Sequence, residues 1–384
     1  MTTVPGTPSD PIHVVHVISG VARGGGGTSS FVADLAREQA RMSGDRVTII
    51  CGQRGVDDVP IDPAVHVVET GSPPRLDSGL VRLAARERID VVHVHGLWEP
   101  AIHAVCVVAR SQGLRRVIST HGMLEPGALA IKPWKKRAAL LLYQRRDLVD
   151  ADCLHATAAE EAASMRRLGF LQPIIVVPPG LEMPAAACGE RSAPGPRTAL
   201  FCSRITPVKN VLGLVAVWAE VRPSGWKLVI AGPDEAGHAA AVRAAVDRAG
   251  LAGEVAVIGP RYGADKDRMF REASLFVLPS FSENFGIVVL EALGHALPVI
   301  TTTSTPWREI GQAGAGWCVA PDHVSLARAL REAVDRPAAE LGAMGERGRA
   351  IAREGYGWTS VTARLRDAYA WTMGRGPKPE CLQL

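Results

Sequence analysis

Short apolar runs alternate along this chain with stretches whose apolar residues recur at helical spacing. Ile12–Ile18, Arg46–Cys51, Val65–Val68, Val91–His95, Arg116–Thr120, Cys153–Thr157 and Ile174–Val177 read as strands. Helices are expected between them at about 30–41, 80–88 and 101–112, and in the EEAASMRRLG segment after Thr157. This alternation predicts a parallel sheet with helices on both faces. The pattern stops at 178–197, PPGLEMPAAACGERSAPGPR, whose Pro, Gly and Ala content reads as an interdomain linker. A second series then begins, with strands at 199–203, 227–231, 255–258, 275–278 and 298–301. Its helices are expected at about 210–221, 235–250, 264–272, 285–293 and 325–335, with one or two more from about 338 to 373. The division is therefore a first domain over 1–180, a linker over 181–196 and a second domain over 197–355. Residues 356–384 are expected to form a helix packing back on the first domain, then a tail. The fold class is α/β, two doubly wound Rossmann-like domains facing across a cleft, with ligands outside the carboxyl ends of the strands.

Composition narrows the function more than the fold. At 384 residues and 47% hydrophobic content the chain can bury two cores. A net charge of +4 gives no reason to expect a nucleic-acid partner. Cysteines 51, 106, 153, 188, 202, 318 and 381 are scattered, with no CxxC pair, so neither zinc nor a disulfide framework is expected. The opening MTTVPGTPSDP lacks the basic and apolar regions of a signal peptide, and no run has the length of a membrane-spanning helix. A cytoplasmic protein is the expectation.

The densest chemistry lies at 276–300, FVLPSFSENFGIVVLEALGHALPVI. A strand meets Pro279, a polar turn follows, and helical spacing starts near Phe285. Glu283 stands just before the helix and Glu291 about two turns on. The N–H groups and dipole of a helix N-terminus attract phosphate. A carboxylate beside them repels phosphate and is better suited to accept from hydroxyls. Phosphate and hydroxyls together describe a nucleotide sugar.

Other segments add to this. Arg204 and Lys209, in the loop after the first strand of the second domain, supply a fork and a point charge suited to a diphosphate. Alone, they also read as two solvated surface cations. His121 ends a strand at the carboxyl edge of the first sheet, where a neutral ring can donate and accept. His93 reads as an ordinary satisfied polar group. Gly24 to Gly27 form a glycine loop between strand and helix, but the spacing is not GxGxxG and no ribose-binding acid follows, which argues against a nicotinamide dehydrogenase. Residues 132–146 surround Trp134 and a leucine run with Lys132, Lys135, Lys136, Arg137, Arg145 and Arg146. They read as a packed helix with a solvated basic face, with an amphipathic helix on an anionic membrane as the competing reading.

Taken together, these residues resemble the retaining GT-B glycosyltransferases of family 4, the glycosyl transferases group 1. The resemblance covers almost the whole chain. Its most specific part is Glu-x7-Glu, met by Glu283 and Glu291 within SENFGIVVLEAL. The segment HGMLEPGAL through ADCLHATAAEE is similar to a bacterial exopolysaccharide or O-antigen subset. The resemblance implies that Glu283 contacts the donor sugar and Glu291 the ribose. It implies that amides of Asn284, Phe285, Gly286 and Ile287 hold the diphosphate, with Arg204 and Lys209 neutralising it. It also implies that His121 reaches the donor sugar and that Gly25 and Gly26 approach the donor phosphate or the acceptor. Glu309 matches a frequent family Glu with no firm role. The family usually has a second glycine where Leu297 stands, and Leu297 is expected to tolerate the turn with a negative φ.

The function implied is retaining transfer of a hexosyl group from a UDP- or GDP-sugar to a hydroxyl of a glycan or lipid-linked saccharide. No cofactor and no metal are expected, the cations taking the metal's place. A peripheral membrane contact would run through 132–146. The alternatives are a sugar phosphorylase or epimerase on the same fold and a catalytically idle glycan-binding subunit.

Overall fold

The computed structural model describes residues 11–22, 27–41, 44–184 and 195–384. Gly25 and Gly26 of the glycine loop, and most of the expected linker, lie outside the described residues. Two compact units are present: one runs to Gly180 and resumes over Trp358–Leu384, and the other is Leu181–Gly357.

The first unit contains β1 (His13–Val17), β2 (Arg46–Cys51), β3 (His66–Glu69), β4 (Val91–His95), β5 (Arg115–Ser119), β6 (Cys153–Ala156) and β7 (Ile174–Val176). The second contains β8 (Arg197–Cys202), β9 (Trp226–Ala231), β10 (Val255–Ile258), β11 (Leu275–Leu278), β12 (Val299–Thr302) and β13 (Gly316–Val319). The chain ends with β14 (Leu382–Gln383), back in the first unit. The sheet orders are β14-β7-β6-β5-β4-β1-β2-β3 and β10-β9-β8-β11-β12-β13. Every pairing is parallel except β14 on β7. Helices on both faces explain why the inner strands are buried along their whole length.

Several elements differ from expectation. The edge strands β13 and β14 were not anticipated. The first is only half-buried and the second spans Leu382–Gln383, so neither carries a strong apolar signal. The second helix is Leu76–Ala84 rather than about 80–88. It buries Leu76, Leu80 and Leu83, and it needs Gly79, where a Cβ would come within 2.7 Å of Thr70. The segment 132–146 is helical from Pro133, as expected, but it is not packed along its apolar side. The helix runs from Pro133–Ala139 through a π-turn over Leu140–Gln144 into Arg145–Val149, and Trp134, Leu141 and Leu142 point into solvent.

The last stretch forms two helices, Ala338–Tyr356 in the second unit and Trp358–Thr372 in the first. The latter buries Trp358, Val361, Leu365 and Tyr369 in one cluster with Phe31 and β1 residues. Arg366 fastens it through a largely buried ion pair to Asp45, at 2.8 Å. In the second unit, helix Ala338–Tyr356 packs closely against the turn after helix Ile287–Gly294. A Cβ on Gly345 would lie 1.9 Å from the carbonyl of Ala296. The left-handed residue of that turn is Ala296, with φ 53°, not Leu297, which is fully buried. Leu297 thus has the negative φ expected of it, and the left-handed position falls one residue earlier.

The first sheet also has a polar interior. His16 on β1 is in register with His93 on β4, and Ser119 on β5 is in register with His95 and His155. All five side chains are buried. Burial holds the His16 imidazole down to about 4 and depresses His93 and His95 well below the usual value. It also depresses His121 and His155, against the pull of Glu161.

Two outcomes follow from these contacts. Ala296→Gly removes left-handed strain and should stabilise the protein by about 0.5–1 kcal/mol, whereas Gly345→Ala should cost more than about 2 kcal/mol; denaturant melts of the two variants should therefore move in opposite directions. The histidines generate the second. Above about pH 6.5 both the folded and the unfolded rings are neutral and stability is complete. Below that value the unfolded chain takes up protons that the folded one refuses, so stability falls from about pH 6.5 towards about pH 4, by roughly 3 kcal/mol for a ring displaced as far as His16. Guanidinium unfolding at about pH 7.5 and about pH 5 measures this, and equal stabilities would refute it.

Candidate functional site

In the second unit, β8, β11 and β12 lie side by side, so the loops leaving their carboxyl ends are neighbours. Backbone bonds join these loops: Phe281 N–H donates to the Val208 carbonyl at 2.8 Å, and Glu283 N–H to Ser304 at 3.2 Å. Pro207–Lys209 is a single 3-10 turn that carries Lys209 inward. Its ammonium donates to Glu283 Oε1, which also accepts from Ser280 Oγ at 3.1 Å. Both charged side chains are about nine-tenths buried, at 10% and 9% exposure. An ion pair at that depth has lost most of its hydration, and either partner without the other would be costly.

Arg204, in the same loop as Lys209, has a different partner. It is half-exposed and bonds Glu235 at 2.7 Å. A surface pair of this kind contributes at most about 1 kcal/mol, so its guanidinium can change partner at little cost.

The helix Ile287–Gly294 starts at Gly286, whose φ of 75° turns the chain into it. Its first turn contains no acidic residue. The opening N–H groups of a helix have no intrahelical acceptor, and the dipole adds positive potential there. Asn284, Phe285, Gly286 and Ile287 therefore surround an anion-favouring end. Its backbone is fixed from behind, since Trp307 Nε1 donates to the Phe285 carbonyl at 2.5 Å and the two rings pack at 5.0 Å. Glu309 belongs to this support, accepting from Tyr356 Oη at 2.8 Å while Tyr356 packs on Trp307.

Glu291 lies on the same helix. Its Oε1 accepts from Lys266 Nζ at 2.6 Å. Its Oε2 is buried and accepts nothing from the described residues. Lys266 is on helix Gly263–Glu272, where it reads in sequence as one more surface cation, so sequence reasoning missed it. Ser280 and Trp307 were missed for the same reason: their partners are set by tertiary structure.

In the first unit, His121 follows β5 with a left-handed φ of 48°, a conformation that costs a non-glycine residue about 1–3 kcal/mol. Glu161 supplies the restraint. Fully buried, it accepts from Thr120 Oγ1 at 2.6 Å and from Gly122 N–H with one oxygen. The other oxygen accepts from Thr157 N–H at 2.7 Å and Thr157 Oγ1 at 2.9 Å. The His121 ring meets the edge of Phe31 at 5.5 Å and His95 Nδ1 at 3.0 Å through its Nε2. Phe31 lies on helix Gly27–Arg41, which begins directly after the glycine loop. His93 is the satisfied polar group expected, with both ring nitrogens bonded, to Tyr369 and to Ser119. Sequence reasoning did not single out Glu161, although an acid placed in the first turn of a helix is a visible signal.

Two protein-family models match the chain: a glycosyl transferase 4-like domain over residues 26–180 and glycosyl transferases group 1 over residues 189–351. A D-inositol 3-phosphate glycosyltransferase of Streptomyces scabiei is 30% identical, over 74% of this chain and 68% of that protein. A GDP-mannose:cellobiosyl-diphosphopolyprenol alpha-mannosyltransferase of Xanthomonas campestris is 26% identical, over 94% of this chain and 97% of that one. Among solved structures, Anabaena HepE in complex with UDP and glucose superimposes with a TM-score of 0.74 at 16% identity, covering 94% of this chain and all of that one, a likeness of fold. Matched along both units in order, the chain belongs to the group 1 glycosyltransferases, family 4 of the GT-B fold.

Proposed function

We propose that the protein moves a hexosyl group, with retention at the anomeric carbon, from a UDP- or GDP-sugar to a hydroxyl of a glycan or lipid-linked saccharide. The observation that carries this reading is the buried Lys209–Glu283 pair beside a helix start free of acid. The leaving diphosphate gains charge in the transition state. Lys209, Arg204 and the amides of Asn284, Phe285, Gly286 and Ile287 are the groups suited to stabilise it, commonly the largest catalytic contribution. They take the part a metal ion plays elsewhere. As Lys209 turns to the phosphate, Glu283 is released to accept from sugar hydroxyls. Glu291, with Oε2 unsatisfied and Oε1 on Lys266, suits the two ribose hydroxyls.

The state of Glu161 bears on how retention would be reached. It is the carboxylate that braces the His121 turn, and both of its oxygens are committed to hydrogen bonds. A glycosyl-enzyme formed on a carboxylate therefore finds no ready nucleophile there. Front-face attack fits better, with the departing phosphate oxygen taking the acceptor proton as the acceptor oxygen bonds to the anomeric carbon.

The exposed ridge over 131–146 supports a lipid-linked acceptor and a peripheral membrane contact. Ile131, Trp134, Leu141 and Leu142 are 58%, 68%, 86% and 80% exposed. Lys132, Lys135, Arg137, Arg145 and Arg146 are exposed on the same segment. Apolar side chains in solvent among cations suit an anionic lipid interface. No helix of the described residues is long and apolar enough to cross a membrane.

Product analysis with UDP- and GDP-hexoses tests the transfer directly, and a thermal-shift screen with the same donors identifies the base, because a ligand held only by the folded state raises its melting temperature. Lys209→Ala should lower kcat by about 10²–10³-fold, with melting followed in parallel because Glu283 is left buried and unpaired; wild-type turnover would sink the account. For the membrane contact, the triple variant Trp134→Ser, Leu141→Ser, Leu142→Ser should no longer sediment with phosphatidylglycerol vesicles. Wild-type protein that stays in the supernatant would remove that contact from the proposal.

A further inference from the structure

The histidines inside the first sheet belong to a continuous hydrogen-bonded chain whose direction can be worked out from one end. That end is the Val177 carbonyl, which can only accept. His155 Nε2 lies 2.8 Å from it and therefore carries the proton. A neutral imidazole holds a single N–H, so His155 Nδ1 is bare and accepts from Ser119 Oγ at 2.6 Å. The Ser119 hydroxyl has then used its hydrogen and accepts from His93 Nε2–H at 2.7 Å. His93 Nδ1 is consequently bare and accepts from Tyr369 Oη at 2.7 Å. The Tyr369 oxygen can now only accept, which turns the Gln39 side-chain NH₂ towards it, at 3.4 Å. The opposite amide orientation would set two oxygens against each other with no hydrogen between them.

Gln39 Oε1 then faces His16 Nε2 at 2.6 Å and accepts its proton. His16 Nδ1 accepts from His95 Nε2–H at 2.9 Å, and His95 Nδ1 accepts from His121 Nε2–H at 3.0 Å. The chain ends at His121 Nδ1, which makes no hydrogen bond among the described residues. Burial keeps the intervening rings neutral, so each passes on one direction rather than two.

We propose that this chain, anchored at the Val177 carbonyl and turned by Tyr369 and Gln39, fixes His121 with its proton on Nε2, so that its open Nδ1 can only accept a hydrogen bond. A hydroxyl or an N–H group can satisfy that atom; a carboxylate, with no hydrogen to give, cannot. Gln39 and Tyr369 are positioning residues, acting only through His121.

A metal site is the competing use of the same rings, since ligand atoms of His16, His93 and His95 lie within 4.8 Å of one another. Both nitrogens of each ring already have a hydrogen-bond partner, however, and the rings are closed off from solvent. An ion would have to break the chain in order to enter.

The test is a long-range proton–nitrogen correlation spectrum of the full chain labelled with ¹⁵N-histidine, recorded near pH 7.5 without sugar, with His121 assigned from its loss in His121→Asn. The expected result is a protonated Nε2 and a bare Nδ1 at His121. The reverse tautomer would overturn the proposal. Tyr369→Phe keeps the ring but removes the hydroxyl that orients Gln39, and a second His121 tautomer should then appear. Unchanged His121 signals in a folded Tyr369→Phe protein would overturn the control assigned to the chain. Stoichiometric zinc retained after dialysis would overturn it in favour of a metal centre. Because the spectra need no substrate, failure to turn over any nucleotide sugar would count against the transfer function and leave the tautomer assignment standing.

Discussion

Parallel strand pairing makes the carboxyl ends of neighbouring strands level, and the candidate site follows from that constraint. With β8 beside β11 and β11 beside β12, three loops leave one edge together. Residues far apart in sequence become neighbours without any long connection. Lys209 reaches Glu283 across 74 positions of chain because both stand one short loop beyond paired strands. Remove the register and the buried charge pair loses its partner, the Gly286 turn loses Trp307 behind it, and the helix end no longer faces Lys209's loop.

The two units solve the problem of placing polar groups at a sheet edge differently. The second keeps an apolar core up to the loops, with Phe276, Trp307 and Phe285 beneath the site, and buries one ion pair at the top. The first carries polar side chains into the sheet itself. Burying so many imidazoles is tolerable because both nitrogens of His16, His93, His95 and His155 find partners, and an unpartnered buried nitrogen costs more than its bond contributes. Full satisfaction also removes freedom. A chain of neutral rings with one fixed end can hold only one arrangement of protons, which makes distant Tyr369 and Gln39 relevant to His121.

Two left-handed residues sit where surrounding contacts restrain them. His121 takes a left-handed backbone between Thr120 and Gly122, both held by Glu161. Ala296 takes one where helix Ala338–Tyr356 closes over its carbonyl at Gly345. The first follows β5 at the carboxyl edge of the first unit's sheet, and the second closes the turn that ends the helix bearing Glu291.

Periodicity alone determined that the chain alternates strand and helix twice, because a buried parallel strand and an amphipathic helix have different repeats and each element here is long enough to show its own. The spacing of Glu283 and Glu291 was equally local, since both lie on one turn and helix. The sequence could not show the short edge strands β13 and β14, where burial is partial and the pattern faint, nor the exposure of 132–146, whose leucines read as buried and stand in solvent. It anticipated the negative φ of Leu297 but not that Ala296 takes the left-handed place in the turn, because φ there depends on how the helix end is capped and covered. Lys266 on Glu291, Tyr356 on Glu309 and the eight-bond chain from Val177 to His121 were beyond it for one physical reason. Hydrogen bonds and ion pairs between distant segments carry no periodic signal, and strand register, helix rotation and rotamer choice decide them only once the chain has folded.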